Sequence, residues 1–448
     1  MFLSECRRTL LLAVPIMAGQ LSQMLMGLAD SAMVGRVGVL PLAASSFANG
    51  LLSVPFLFGI GLMQAISVRV SQAHGAGDRR ETGELLRHGL AITGVAGIVL
   101  VAIVALASTQ LHHFGQPPDV VRESHRYFLL CGASMLPMLL AMGLKQYSEA
   151  LNHPWPPMLI LLGSVALNVV LNWILIYGNL GAPAMGLTGA GLATLLSRIA
   201  ALAVVIAYIL RARRFAGALP ESWKLPLQWD RARSLLRIGL PGAGQLLLEV
   251  SAFTVATIMI GWLGAEALAA HQIALTCAST SFMFPLGIGM ATTIRIGQAL
   301  GAGEPARVRT IGLTSFGLGV LVMGAAGLVF AFGNEWIARA FVDDPGVVHI
   351  AAKLLIVAAF FQIFDGLQVV GSCTLRGLND AIVPMVACLV AYWLVFLPFA
   401  WLAAFHFRLG AAGIWYGLAA ALGIVAVALF VRFLVKSGTV VSRAHGRG

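Results

Sequence analysis

The chain has 448 residues, 59% of them hydrophobic and only 10% charged, with a net charge of +11 and a mean hydropathy of +0.89. A soluble domain is about a quarter charged, so a water-soluble globular protein is excluded, and a disordered chain more firmly still. The basic balance does not call for nucleic acid, because Lys and Arg of a membrane protein gather in cytoplasmic loops and set its orientation.

Apolar runs of about 20 residues, the length a bilayer core requires, recur from end to end. In chain order they predict twelve helices over residues 9–33, 45–73, 89–110, 127–148, 156–177, 187–210, 237–261, 267–299, 310–332, 350–373, 382–404 and 411–435. The first follows Arg7 and Arg8 but is too long for a cleaved signal peptide, so it is read as a retained span. The expected fold is an all-α polytopic membrane protein. Twelve spans put both termini on one side. With that side cytoplasmic, only Arg36, Arg122, Arg126, Arg339, Lys353 and Arg408 of the 29 basic residues fall outside, while Lys145 and Arg198 lie within spans. This asymmetry puts both termini, with Arg447 near the C-terminal end, in the cytoplasm. The five cysteines are scattered without CxxC spacing, so no disulfide or zinc framework is expected.

The two halves repeat. "MVGRVG" (33–38) matches "MIGWLG" (259–264) at an offset of 226 residues, "RVSQAHGAG" (69–77) matches "RIGQALGAG" (295–303), and Pro15 falls on Pro241. The expected organisation is an N-terminal six-helix bundle (1–211), a cytoplasmic linker (212–236) rich in Arg, and a C-terminal six-helix bundle (237–448), the two being pseudo-symmetric. Parallel repeats of this kind are the architecture of alternating-access carriers. A duplicated bundle in a channel or membrane enzyme is the alternative.

An ionisable residue within a span is costly and marks a functional site by default. Asp30 sits about 22 residues from Arg8, roughly 33 Å along a helix, towards the outer side. Glu249 and Asp365 lie near mid-depth in spans 7 and 10, entered from opposite ends, so they could face one cavity. Such carboxylates can hold a proton, a sodium ion or an organic cation. Glu249 aligns with Gln23 and Asp30 with Ala256, so the scaffold was duplicated and the charges were not. If Lys145 or Arg198 pairs with these acids, their role is packing instead. Glu149, Asp380, Asp78, Glu81, Glu84 and Glu304 lie at cytoplasmic span ends and read as solvated.

Asn168 and Asn172, at i and i+4, share a helix face. They could ligate a cation through their carbonyls or hydrogen-bond between helices. Tyr147, Gln272, Phe284, Gln362 and Tyr392 could contact a flat cationic substrate by stacking and cation–π attraction, although aromatics in such bundles mostly pack. Walker A, HExxH and GxSxG motifs are absent from the sequence.

"LADSAMVGRVG" (28–38), "GLPGAGQLLLEVSAFTVATIMIG" (239–261), "LAAHQIAL" (268–275), "FMFPLGIGMATTIRIGQALG" (282–301) and "FQIFDGLQVVGSCTLRGLND" (361–380) together resemble the multidrug and toxic compound extrusion (MATE) family, and its NorM branch in particular. The resemblance covers nearly the whole chain. It implies a cell inner-membrane antiporter that expels cationic, lipophilic or aromatic compounds against inward Na+ or H+, with no cofactor. Its expected partners are drug-like cations and the lipid bilayer, with no nucleic acid, and it is expected to be a monomer. The resemblance gives Asp30 a protonation role and makes Glu249 and Asp365 the cation site, where Na+ is one candidate occupant. Lys145 falls where the family usually has a base, and Arg198 matches no family position. Two rivals are a lipid-linked precursor flippase of the same superfamily architecture, which would need a large basic cavity, and a membrane-embedded enzyme, which would need a His/Asp or paired-Asp motif.

Overall fold

Lengths of unbroken apolar sequence, punctuated by Gly and Pro, become twelve long helices. In a computed structural model that describes residues 2–445, and side chains as far as Val441, these are α1 (Phe2–Gly35), α2 (Val39–Gly75), α3 (Arg79–Ser108), α4 (Pro118–Ala150), α5 (Trp155–Tyr177), α6 (Gly186–Arg211), α7 (Trp229–Gly261), α8 (Ala265–Gly301), α9 (Pro305–Phe341), α10 (Pro345–Gly377) and α11 (Ile382–His406), followed by α12 (Gly410–His445). No strand occurs among the described residues. Arg447 lies outside them.

All twelve expected spans are present, and most run further than the apolar stretches that predicted them. Backbone hydrogen bonding continues into amphipathic ends that hydropathy cuts off at the first charge. The breaks have local causes. Asp78 accepts the Glu81 N–H at 2.9 Å and starts α3, and Asp344 accepts that of Val347 at 3.0 Å and starts α10. Each cap satisfies a backbone donor that the first helical turn leaves unpaired. The repeated turn after α2 and α8 ends on Gly77 (φ +74°) and Gly303 (φ +71°), a left-handed conformation that glycine adopts without steric cost. Within α11, two π-helical stretches, Leu389–Phe396 and Leu402–His406, interrupt the regular ladder.

The chain forms two compact units. A C-terminal unit comprises Met1–Met17, Gly75–Gly77 and Gly244–Gly448, and an N-terminal unit comprises Ala18–His74 and Asp78–Ala243. Relative to a division at 211 and 237, each unit has taken in the opening stretch of the other repeat's first helix. Leu12, Ala13 and Ile16 of α1 accordingly sit in the core of the C-terminal unit, with Ile288, Ile294 and Tyr392. Met63, Leu86, Leu139 and Tyr147 form one core of the N-terminal unit together with Phe215 and Ala218 from the segment after α6.

Several span-end acids expected to be solvated are buried and paired. Glu149 meets Lys145 at 2.8 Å, each side chain 1% exposed. Glu84 meets Arg87 at 2.6 Å, and Asp380 meets both Arg432 and Lys436 at 3.0 Å. Arg295 and Arg376, counted with the cytoplasmic basic residues, lie buried within α8 and α10. The helix ends pack on one another and on the connecting segment, and that packing closes over charges which sequence alone leaves in water.

Candidate functional site

In the C-terminal unit, α7, α10 and α11 assemble a polar cluster inside an apolar bundle. Asp365 and Gln368, three residues apart on α10, share a face. Gln368 donates through Nε2 to Glu249 Oε2 on α7 at 3.5 Å and to Cys388 Sγ on α11 at 3.8 Å. Asp365 is 5% exposed, and no hydrogen bond or ion pair reaches it among the described residues. The Tyr392 hydroxyl and the Gln368 carbonyl oxygen are buried there without partners among the described residues. The cluster thus gathers two carboxylates, an amide oxygen and a phenolic oxygen, a donor set suited to a hard cation or a proton. Along α10, Arg376 donates to Gln245 Oε1 at 3.2 Å, and Gln245 donates to Ser372 at 2.9 Å.

In the N-terminal unit a cavity of about 430 Å³ is lined by Asp30, Asn49, Phe56, Tyr127, Thr194 and Arg198, and by Met26, Met135, Met138 and Met142. Asn172 Nδ2 donates to Asp30 Oδ1 at 2.6 Å and reaches Asn168 Oδ1 at 3.2 Å. Asn168 in turn reaches Thr194 at 3.5 Å. The two asparagines form a chain between helices that ends on the carboxylate. Arg198 donates to Ser134 at 2.7 Å and faces the same cavity as Asp30 without pairing with it.

The other predicted site residues fall elsewhere. Tyr147 is fully buried, donates to the Ala218 carbonyl and packs on Phe215, outside the lining of the N-terminal cavity. Gln272 and Phe284 are exposed on α8. Gln362 is buried beside the acid cluster on α10 and donates to Ser281. Neither Lys145 nor Arg198 pairs with Asp30, Glu249 or Asp365, since Lys145 takes Glu149 and Arg198 takes Ser134. Sequence reasoning passed over Gln368, Gln245 and Arg376. The signal was present, as polar residues at i+3 from Asp365 and i−4 from Glu249 within apolar runs.

The MatE family pattern matches residues 15–174 and 241–402. The "probable multidrug resistance protein NorM" of Bradyrhizobium diazoefficiens is 37% identical, over 96% of this chain and 93% of its own. The protein of the same name from Mesorhizobium japonicum is 37% identical, over 96% and 94%. Among solved structures, the Vibrio cholerae MATE transporter VcmN in its bent form superposes with a TM-score of 0.89, at 22% identity and 98% coverage of both chains. The members of this family are transporters and not enzymes, which removes the membrane-enzyme alternative. With a family pattern spanning both repeats and relatives above one-third identity along nearly their whole length, the chain belongs to the MatE family.

Proposed function

We propose that the protein is a multidrug efflux antiporter of a bacterial inner membrane, exporting cationic, lipophilic or aromatic compounds in exchange for Na+ or H+. The observation that carries this reading is Asp365, a buried carboxyl group in mid-span with no partner among the described residues. An uncompensated charge in that setting is costly, and a proton or a sodium ion relieves the cost. Glu249, the Gln368 carbonyl and the Tyr392 hydroxyl supply further oxygens for such a cation. The N-terminal cavity has the size of a small-molecule site. Its four methionines give it a soft, adaptable wall, and Asp30 gives it a negative charge. Loading the acids from outside favours drug release there, and discharge inside resets the carrier.

We place both termini in the cytoplasm, from the distribution of basic residues, and take the monomer as the working unit. The flippase alternative is not favoured, because Arg198 is the one basic residue among the described cavity-lining residues. A lipid pyrophosphate calls for several cations.

The test is ethidium transport in proteoliposomes energised separately by sodium and proton gradients, with Asp365→Asn and Glu249→Gln alongside. Transport should follow one gradient and be lost in Asp365→Asn. Folded wild-type protein that moves no ethidium under either gradient, or Asp365→Asn and Glu249→Gln variants that transport normally, would remove the proposal.

A further inference from the structure

The opening stretches of α1 and α7 each belong to the compact unit of the other repeat, and an ion pair holds each in place. In the N-terminal unit, Arg231 at the start of α7 meets Glu81 at the start of α3, Nη2 to Oε2 at 2.6 Å and Nε to Oε2 at 2.9 Å, with Glu84 at 3.7 Å. In the C-terminal unit, Glu5 at the start of α1 meets Arg307 at the start of α9 at 3.2 Å. Arg295 adds a second clasp, bonding the Glu5 carboxylate and, at 2.7 Å, the Glu5 carbonyl.

The repeat makes these two contacts equivalent. At an offset of 226 residues, position 5 falls on 231 and position 81 on 307. The geometry is retained and the charges are inverted: acid on the first helix and base on the ninth in one case, base on the seventh and acid on the third in the other. The rest of the exchange keeps the same register. It ends at Met17 in α1 and at Ala243 in α7, again 226 residues apart. Gly61 lies so close to the second segment that a Cβ there would stand 2.3 Å from Ala243 Cα, and a Cβ on Gly287 would stand 2.2 Å from Met17 Cγ. Positions 61 and 287 are also equivalent.

Two identical repeats would share one polarity. Each helix start would then find an opposite charge on its own repeat and on the other alike, with nothing to choose between them. Inversion removes the ambiguity. Glu5 and Glu81 belong to the first repeat and repel, as do Arg231 and Arg307 in the second. Among the four equivalent positions 5, 81, 231 and 307, each start finds its opposite charge only on the other repeat; Arg69, which occupies the place of Arg295 in the first repeat, does not discriminate. We propose that the charge inversion is an address: it directs the start of each repeat's first helix onto the other repeat, rejects its own, and so fixes the exchange during assembly. The partly exposed Arg231–Glu81 pair contributes little to stability by itself, whereas like charges brought together reject a wrong partner effectively. The buried Arg295–Glu5 contact adds strength, and selection is what positions 5, 81, 231 and 307 supply.

The discriminating variant is Arg231→Glu/Glu81→Arg, which keeps a pair of the same length but gives both repeats one polarity. Hydrogen exchange with mass spectrometry on the purified full chain would follow peptides within 2–17 and 229–243. The wild type should show one protected population. The double variant should show two populations in both regions, the minor one at least about a tenth of the molecules. Arg231→Gln, which removes the pair without rewriting the address, should keep one population with faster exchange confined to 229–243. A double variant that is uniformly protected, like the wild type, would show that the pair alone suffices and overturn the address. So would uniform loss of protection or of folded yield in the double variant while Arg231→Gln folds. If Arg231→Gln splits into two populations in both regions, polarity is not the discriminator and the proposal also fails.

Discussion

Asn172 spends both of its amide hydrogens on acceptors in its own unit, Asp30 Oδ1 at 2.6 Å and Asn168 Oδ1 at 3.2 Å. The Asp30 carboxylate is therefore held from one side while the cavity lies on the other. Asp30→Asn should keep the fold, with a melting temperature within a few degrees of wild type, and lower ethidium efflux at least about tenfold. Asn172→Leu removes the donor from a charged acceptor and should cost about 1.5–3 kcal/mol, read by thermal unfolding in detergent. Equal efflux by wild type and Asp30→Asn would detach this carboxylate from transport.

Arg198 and Asp30 line one cavity and do not pair. Replacing Arg198 with Met leaves Asp30 as the lone ionic side chain among the described lining residues. A monovalent organic cation should then bind more tightly, by about three- to tenfold from the loss of one like charge at an effective dielectric constant near 20. Ethidium fluorescence titration of the purified variant checks this. Unchanged or weaker affinity would mean that the guanidinium does not act on the ligand.

Lys145 and Glu149 form a pair from which water is excluded, each side chain 1% exposed. Removing one partner strands the other, so Glu149→Gln should destabilise the protein by about 3–5 kcal/mol. The double change Lys145→Met/Glu149→Leu should recover most of that loss. Thermal unfolding in detergent reads both, and a double variant no better than the single would show that the pair is needed for more than mutual neutralisation.

The twelve spans were legible because a bilayer imposes a minimum length of apolar sequence that few other constraints produce. The repeat was legible because "RVSQAHGAG" and "RIGQALGAG" needed only to be set side by side. The acid cluster was half legible: Glu249 and Asp365 announce themselves as charges in apolar runs, while Gln368, which donates to Glu249, looks like any polar residue on a helix. Tyr147, Gln272 and Phe284 were chosen by residue type. Type does not record that Tyr147 points at the Ala218 carbonyl or that Phe284 lies exposed. Glu149 was misjudged because nearness to a span end suggests water, and only tertiary packing reveals that this end is covered.

Asp380 lies between spans, where burial pushes its carboxyl pKa up but Lys436 and Arg432, each bonded to it, hold it below its ordinary value of 3.8. A depressed carboxylate contributes stability that is present above its unfolded value and lost as pH falls through the folded one. Stability from this contact should therefore be flat from neutral pH down to about 4 and decline below that. Asp380→Asn should be less stable than wild type at pH 7, and the difference should shrink below pH 4. Melting curves from pH 3 to 8 check the sign, and a gap that widens in acid would refute it.

The exchange of helix starts also sets an order of events on the ribosome. The N-terminal unit needs residues up to Ala243, so it stays unfinished when its own six helices have been made and closes only once synthesis has entered α7. The C-terminal unit needs Glu5 to find Arg295, translated 290 positions later. The start of α1 must therefore wait, unclaimed, until α8 has been made, and contacts so distant in sequence form slowly. Synthesis of the second repeat, and not of the first alone, is what lets either unit close. A ribosome stalled between the repeats would hold a bundle still waiting for its last segment.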